Sequence, residues 1–229
     1  MTKLSVSNTP AQRLWGWIYL ALQLIAIPVL LTLANVYFQL ELSEAELNFI
    51  FFCLNFICVT IIFHPFLIAN GIRAIRAPQT IIYAALGAFA AYWILTYLVS
   101  GVIAAVYPDF FNVNDAAVAT MVSDEYRLML IGTVFLVPVT EELLYRGLIF
   151  AGLYNRSRVL AYALSTIAFA LLHVFGYIGL YEPFHLLLCL LEYIPAGLCL
   201  CWAYAKADSI WAPILLHILV NLIGMLAMR

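Results

Sequence analysis

Residues 128–151 read LMLIGTVFLVPVTEELLYRGLIFA. As a helix at ~1.5 Å per residue, this run is longer than the ~30 Å hydrocarbon core of a bilayer. Runs of similar character recur along the chain at 14–38, 48–72, 80–107, 159–180, 184–205 and 210–228. An open strand would leave unpaired backbone in lipid, and none of these runs alternates polar with apolar residues, so helices are expected. Composition agrees. The 229 residues are 66% hydrophobic and only 10% charged, with a mean hydropathy of +1.05; soluble chains carry roughly 25% charged residues. That excludes a disordered chain, a secreted disulfide scaffold and a nucleic-acid binder. The fold class expected is all-α: a polytopic transmembrane helical bundle of about seven spans.

The basic residues orient it. With a cytoplasmic N-terminus, Lys3, Arg13, Arg73, Arg76, Arg146, Arg156, Arg158 and Lys206 lie inside, and only Arg127 and Arg229 lie outside. This bias predicts that orientation. The first run is too long for a signal peptide. One connection, 108–127, is long, and its amphipathic stretch 116–122 predicts a short interfacial helix. The other connections are tight, so 1–229 is read as a single membrane domain. Within it, 1–127 holds the first three spans and the long outer loop, and 128–229 holds spans four to seven. Cys53, Cys58, Cys189, Cys199 and Cys201 all fall in apolar runs and read as packing residues.

Ionisable groups at membrane depth cost about 3 kcal/mol each on insertion scales, so each asks for a reason. The fourth run holds Glu141, Glu142 and Arg146, the fifth His173, the sixth Glu192, and the seventh His217 and Asn221. Glu142 and Arg146 are four residues apart and predict an ion pair. Glu141 points about 100° away. His217 and Asn221 share a face. Counted from the inner helix ends, Glu141 lies ~15 Å deep, His217 ~12 Å and His173 ~15–22 Å. A carboxylate, two imidazoles and an amide from three helices therefore meet at one level. A carboxylate and an imidazole can activate water, and a His/Asn pair can donate to a developing oxyanion. The same groups could hold zinc with an open position, although Asn is a poor ligand. A purely structural ion pair with Arg146 accounts for Glu142 but leaves Glu141 unpaired. Glu192 either lines the cavity or neutralises a buried partner, and His185 reads as interfacial.

Three motifs, Glu141-Glu142-Leu-Leu-Tyr-Arg146, Phe169-Ala-Leu-Leu-His173 and His217-Ile-Leu-Val-Asn221, together resemble the CPBP family. That family groups type II CAAX prenyl endopeptidases with bacterial Abi proteins. The lead-in Ser209-Ile-Trp-Ala-Pro213 fits as well. The resemblance covers about 128–229. It implies an intramembrane endopeptidase that hydrolyses a peptide bond of a membrane-associated protein or peptide, of CAAX type or bacteriocin-related. Glu141 would activate water beside His173, His217 and Asn221 would hold the oxyanion, and Glu142 and Arg146 would brace the site. A mechanism without catalytic metal is favoured, because two groups at i, i+4 suit paired donors. If zinc were used, Glu141, His173 and His217 would hold it. The partners expected are a peptide or protein substrate, possibly prenylated, and membrane lipid. The location expected is a prokaryotic cell membrane, with the site open to the cytoplasmic side.

Two other readings stay open at this point. One is a non-catalytic bacteriocin-immunity or binding protein on the same scaffold. The other is a proton-coupled transporter using Glu141, Glu192 and the histidines, against which stands the absence of an internal repeat.

Overall fold

The computed structural model describes residues 3–229. The described residues form no strand, and their long helices follow the apolar runs. These are α1 Pro10–Tyr37, α2 Glu44–Arg76, α3 Pro78–Val106, α4 Val113–Tyr154, α5 Arg158–Phe175, α6 Pro183–Ala207 and α7 Trp211–Ala227. The first six are long and apolar enough to cross a membrane, and α7 is a shorter apolar helix.

Local chemistry sets the helix starts. Thr9 and Gln12 form a reciprocal capping box at α1, as Ser43 and Glu46 do at α2. Asn112 caps α4 by accepting from the amides of Asn114 and Asp115. Pro10, Pro78 and Pro183 stand at first helical positions, where a missing N–H costs nothing. The helix expected at 116–122 exists but is longer. It opens α4 at Val113 and joins the fourth span through a kink at Glu125 (φ −138°, ψ 66°).

Burial is uneven. Half of the apolar window of α4 and of α6 is buried, against 6% in α3 and 11% in α1. The bundle is therefore built around α4 and α6, and Leu30, Leu33, Tyr97, Leu98 and many other large apolar side chains are exposed on the outer helices. Such a surface is untenable in water and natural in lipid.

Three stretches wind as π-helix. Two of them, 22–26 and 132–136, directly precede Pro28 and Pro138. Proline lacks an N–H and crowds the carbonyl four residues back, and a locally wider turn relieves both. The third, Glu142–Phe150, contains no proline, and all nine of its residues are buried. Two of its carbonyls take side-chain donors: Tyr145 O from Ser165 Oγ at 2.8 Å and Gly147 O from Asn8 Nδ2 at 2.7 Å.

The turn into α7 lies inside the protein. Ser209 and Ile210 are buried, and the Ile210 amide donates to Asn70 Oδ1 at 3.0 Å. Next to it, Asp208 pairs with Arg73 and accepts from Ser5. Leu4 is held through both its backbone groups by Asn155. The N-terminal stretch thus ties together the ends of α2, α4 and α6. Helix α7 then runs for 17 residues and carries His217 and Asn221.

Helices α5 and α6 touch at Gly197, where a Cβ would come within 2.6 Å of Thr166 Cγ2 and 3.1 Å of Thr166 Cα. Gly197→Ala should therefore force the two helices apart and lower stability by about 1–3 kcal/mol. Gly101→Ala, with no atom within 4 Å of its Cβ, should not. Thermal unfolding in detergent checks both, and equal midpoints for the two variants would contradict this contact.

Candidate active site

The site is built from the most costly groups in the membrane. Glu142 and Arg146 are both completely buried. Arg146 Nη1 donates to Glu142 Oε1 at 3.1 Å, and its Nη2 donates to the Gly197 carbonyl at 3.3 Å. The guanidinium also lies 4.3 Å from the centre of the Phe169 ring, a favourable cation–π placement in a dry site. The expected ion pair is thus present, anchored to α6 and packed on α5.

Glu142 has a second duty. Its Oε1 lies 2.9 Å from His217 Nδ1. A carboxylate engaged by Arg146 accepts, so His217 donates from Nδ1 and its Nε2 is left facing Glu141. That nitrogen is 4.0 Å from Glu141 Oε2, an oxygen that is buried and has no protein hydrogen-bond partner among the described residues. His173 is fixed in the same tautomer by a different route. Its Nδ1 is 2.9 Å from the Phe169 carbonyl, which can only accept, so Nε2 is again the free nitrogen. Asn221 donates from Nδ2 to the Thr133 carbonyl at 2.8 Å, which uses one of its two amide hydrogens.

His173, His217 and Asn221 line one cavity of about 80 Å³, together with Tyr92, Phe169 and Tyr193. That volume holds several waters. It is smaller than the ~300 Å³ at which small-ligand pockets begin, so a peptide enters only if helices part or if the scissile bond alone reaches in. Phe169 lies between the two imidazoles, 4.7 Å from His173 and 5.8 Å from His217. Glu141 adjoins His217. Among the described residues no hydrogen bond or ion pair joins Glu141 to His173. Nor does any group of three His, Cys, Asp or Glu side chains there come together as metal ligands.

Two further residues are placed by the structure. His185, near the start of α6, is buried in the protein, with Nε2 2.9 Å from the Phe111 carbonyl and its ring among Phe110, Phe111 and Tyr181. Glu192 is partnered, accepting from Ser100 Oγ at 2.9 Å and Asn112 Nδ2 at 3.0 Å. Tyr193 was not singled out by sequence reasoning, although it lines the cavity. The available signal was its place beside an intramembrane glutamate.

Comparison with known proteins finds similarity over the same part of the chain. Residues 123–223 match the family described as type II CAAX prenyl endopeptidase Rce1-like, a stretch that contains every residue of the three motifs. The chain is also 30% identical over 95 residues to a protein of Bacillus subtilis (strain 168) named "Putative membrane peptidase YdiL". That match covers 41% of this chain and 34% of the relative, so the chain spans about a third of the curated relative's length. No solved structure matches the chain. These matches support the CPBP resemblance and a membrane-protease scaffold.

Truncating one partner of a buried ion pair strands the other charge, which costs about 3–5 kcal/mol. Arg146→Met should therefore lower stability by that amount, through the Glu142 charge left behind. Chemical or thermal denaturation in detergent measures it, and a loss under 1 kcal/mol would contradict the pairing.

Proposed function

We propose that this protein is an intramembrane endopeptidase that hydrolyses a peptide bond with water activated by Glu141 and His173. The observation that carries the reading is the buried, unpartnered Glu141 Oε2 facing His217 Nε2 at 4.0 Å, beside a cavity that three further motif residues line or adjoin. A carboxylate without a protein donor at membrane depth is costly unless it has a chemical task.

In this reading a water in the cavity attacks the scissile carbonyl carbon. Its proton passes to Glu141 or to the free Nε2 of His173, and later goes to the departing amine, so that the products are a carboxylic acid and an amine. The negative charge that develops on the carbonyl oxygen is met by Asn221, through its second amide hydrogen, and by His217. Donation from His217 Nε2 requires both ring nitrogens to carry protons. In that form two carboxylates, one guanidinium and one imidazolium sum to zero charge. The chemistry is written without zinc, because a His/Asn pair at i, i+4 suits two hydrogen-bond donors better than two ligands.

The substrate class proposed is a membrane-associated protein or peptide, CAAX-type or bacteriocin-related, with or without a prenyl group. The bundle is proposed to lie in a prokaryotic cell membrane with a cytoplasmic N-terminus and its site reached from the cytoplasmic side. The support for this orientation is the clustering of basic residues on one set of connections.

A quenched fluorescent peptide library, prenylated and plain, tests the reading with purified protein in detergent. Glu141→Gln and His173→Ala should each lower kcat/KM by about 10²–10⁴-fold. Asn221→Ala should lower it by about 10²–10³-fold. A chelator should leave the wild-type rate unchanged, and a loss of rate restored by added zinc would overturn the metal-free mechanism. If folded wild-type protein cleaves no peptide, the binding or immunity reading replaces this one.

A further inference from the structure

The motif residues do not account for a polar network on the opposite side of the cavity, where α4 begins. Tyr193 on α6 stacks on the imidazole of His173, with ring centres 4.1 Å apart and planes at 23°. Its hydroxyl lies 2.9 Å from Asp115 Oδ1 and 3.1 Å from Asn112 Oδ1, and it accepts from Asn114 Nδ2 at 3.2 Å. Asn112 is itself fixed. Its amide donates to Glu192, and its carbonyl caps α4 by accepting from the amides of Asn114 and Asp115. The other oxygen of Glu192 accepts from Ser100 on α3. A tyrosine ring in contact with His173 is thus held through its hydroxyl by three residues at the start of α4, one of which is tied through Glu192 to Ser100 on α3.

His173 needs such a clamp. Its only hydrogen bond among the described residues, from Nδ1 to the Phe169 carbonyl, fixes one nitrogen but leaves the ring free to tilt about it. Phe169 packs against it at 4.7 Å, tilted by 56°. Tyr193 supplies the parallel face that sets the direction of Nε2.

We propose that Tyr193, held by Asp115 and Asn112, is a positioning residue that aims His173 Nε2 into the cavity. The inference rests on the peptidase reading for its consequence but not for its geometry. The aromatic face also favours the imidazolium that forms when His173 takes a proton. Asp115, by accepting from the phenol, keeps that ring from rotating away. The segment 112–115 at the start of α4 is thereby coupled to the reacting centre although it touches no reacting atom.

Two measurements on the full chain test this and separate its failure from failure of the peptidase reading. The first needs no substrate. In protein labelled with 13C-histidine, the His173 ring signal, assigned by its loss in His173→Ala, should carry a ring-current shift. That shift should shrink in Tyr193→Leu to the part that Phe169 contributes, persist in Tyr193→Phe, and broaden in Asp115→Asn. A His173 signal that is the same in wild type and Tyr193→Leu overturns the stacking.

The second is kinetic, on any peptide that wild type cleaves. Tyr193→Leu should lower kcat about 10–100-fold with KM changed less than about threefold, the size expected when a catalytic group is misplaced by an ångström or so. Tyr193→Phe, which keeps the ring, should recover most of that loss. Unchanged kcat in Tyr193→Leu with the ring-current shift reduced overturns the positioning role. If wild type cleaves nothing, the peptidase reading fails, the kinetic role falls with it, and the spectrum alone decides whether Tyr193 orients His173.

Discussion

The hydrogen-bonded ion pair between Glu142 and Arg146, extended to His217, is the constraint around which this protein is arranged. Two full charges with no exposure to solvent are expensive in any protein interior. They persist here because each is engaged from a different helix. Arg146 binds a carbonyl of α6 and packs on a ring of α5, and Glu142 binds an imidazole of α7. The pair thereby gathers three neighbours around α4. The close approach of α5 and α6 at Gly197 and the buried start of α7 follow from the same need to bring those partners within reach. So does the complete burial of the Glu142–Phe150 stretch.

The arrangement separates two adjacent glutamates by task. Glu142 is engaged by Arg146 and His217, both at Oε1, while its Oε2 is buried without a hydrogen-bond partner among the described residues. Glu141 has no hydrogen bond to Arg146; its Oε2 faces His217 Nε2 at 4.0 Å and has no hydrogen-bond partner among the described residues. Adjacent carboxylates in a low-dielectric site repel each other, and the cation beside one of them relieves this. The histidines are likewise prepared. Each donates from Nδ1 to a fixed acceptor, so that the placement of both rings is settled before any substrate arrives.

Much of this was legible in the sequence. The seven helices follow the apolar runs closely, because spans and their interruptions are set by composition alone. The Glu142–Arg146 pair follows from a spacing of four. The meeting of His217 with Glu142 was not legible. Counting residues from helix ends gives a level and not a partner, and the start of α7 is fixed by a long-range hydrogen bond to Asn70 that no local pattern marks. The π-winding before Pro28 and Pro138 has a visible cause, but nothing in ELLYRGLIF marks that stretch as π-helical. The stack of Tyr193 on His173 depends on a loop folding back onto the middle of α6, a long-range contact that no local pattern encodes.

The central claim is that the buried pair sites His217, while its net contribution to stability is small because the desolvation cost offsets the pairing. Replacing both charges by apolar side chains of similar size removes the desolvation cost together with the pairing, and is often neutral for stability. The most direct measurement is therefore on the double variant Glu142→Leu/Arg146→Met, recording thermal unfolding and peptide cleavage in the same preparation. The account predicts an unfolding midpoint close to that of wild type and cleavage reduced by about 10²-fold or more, as when an oxyanion donor is lost. Cleavage within a few-fold of wild type in a folded double variant would contradict it.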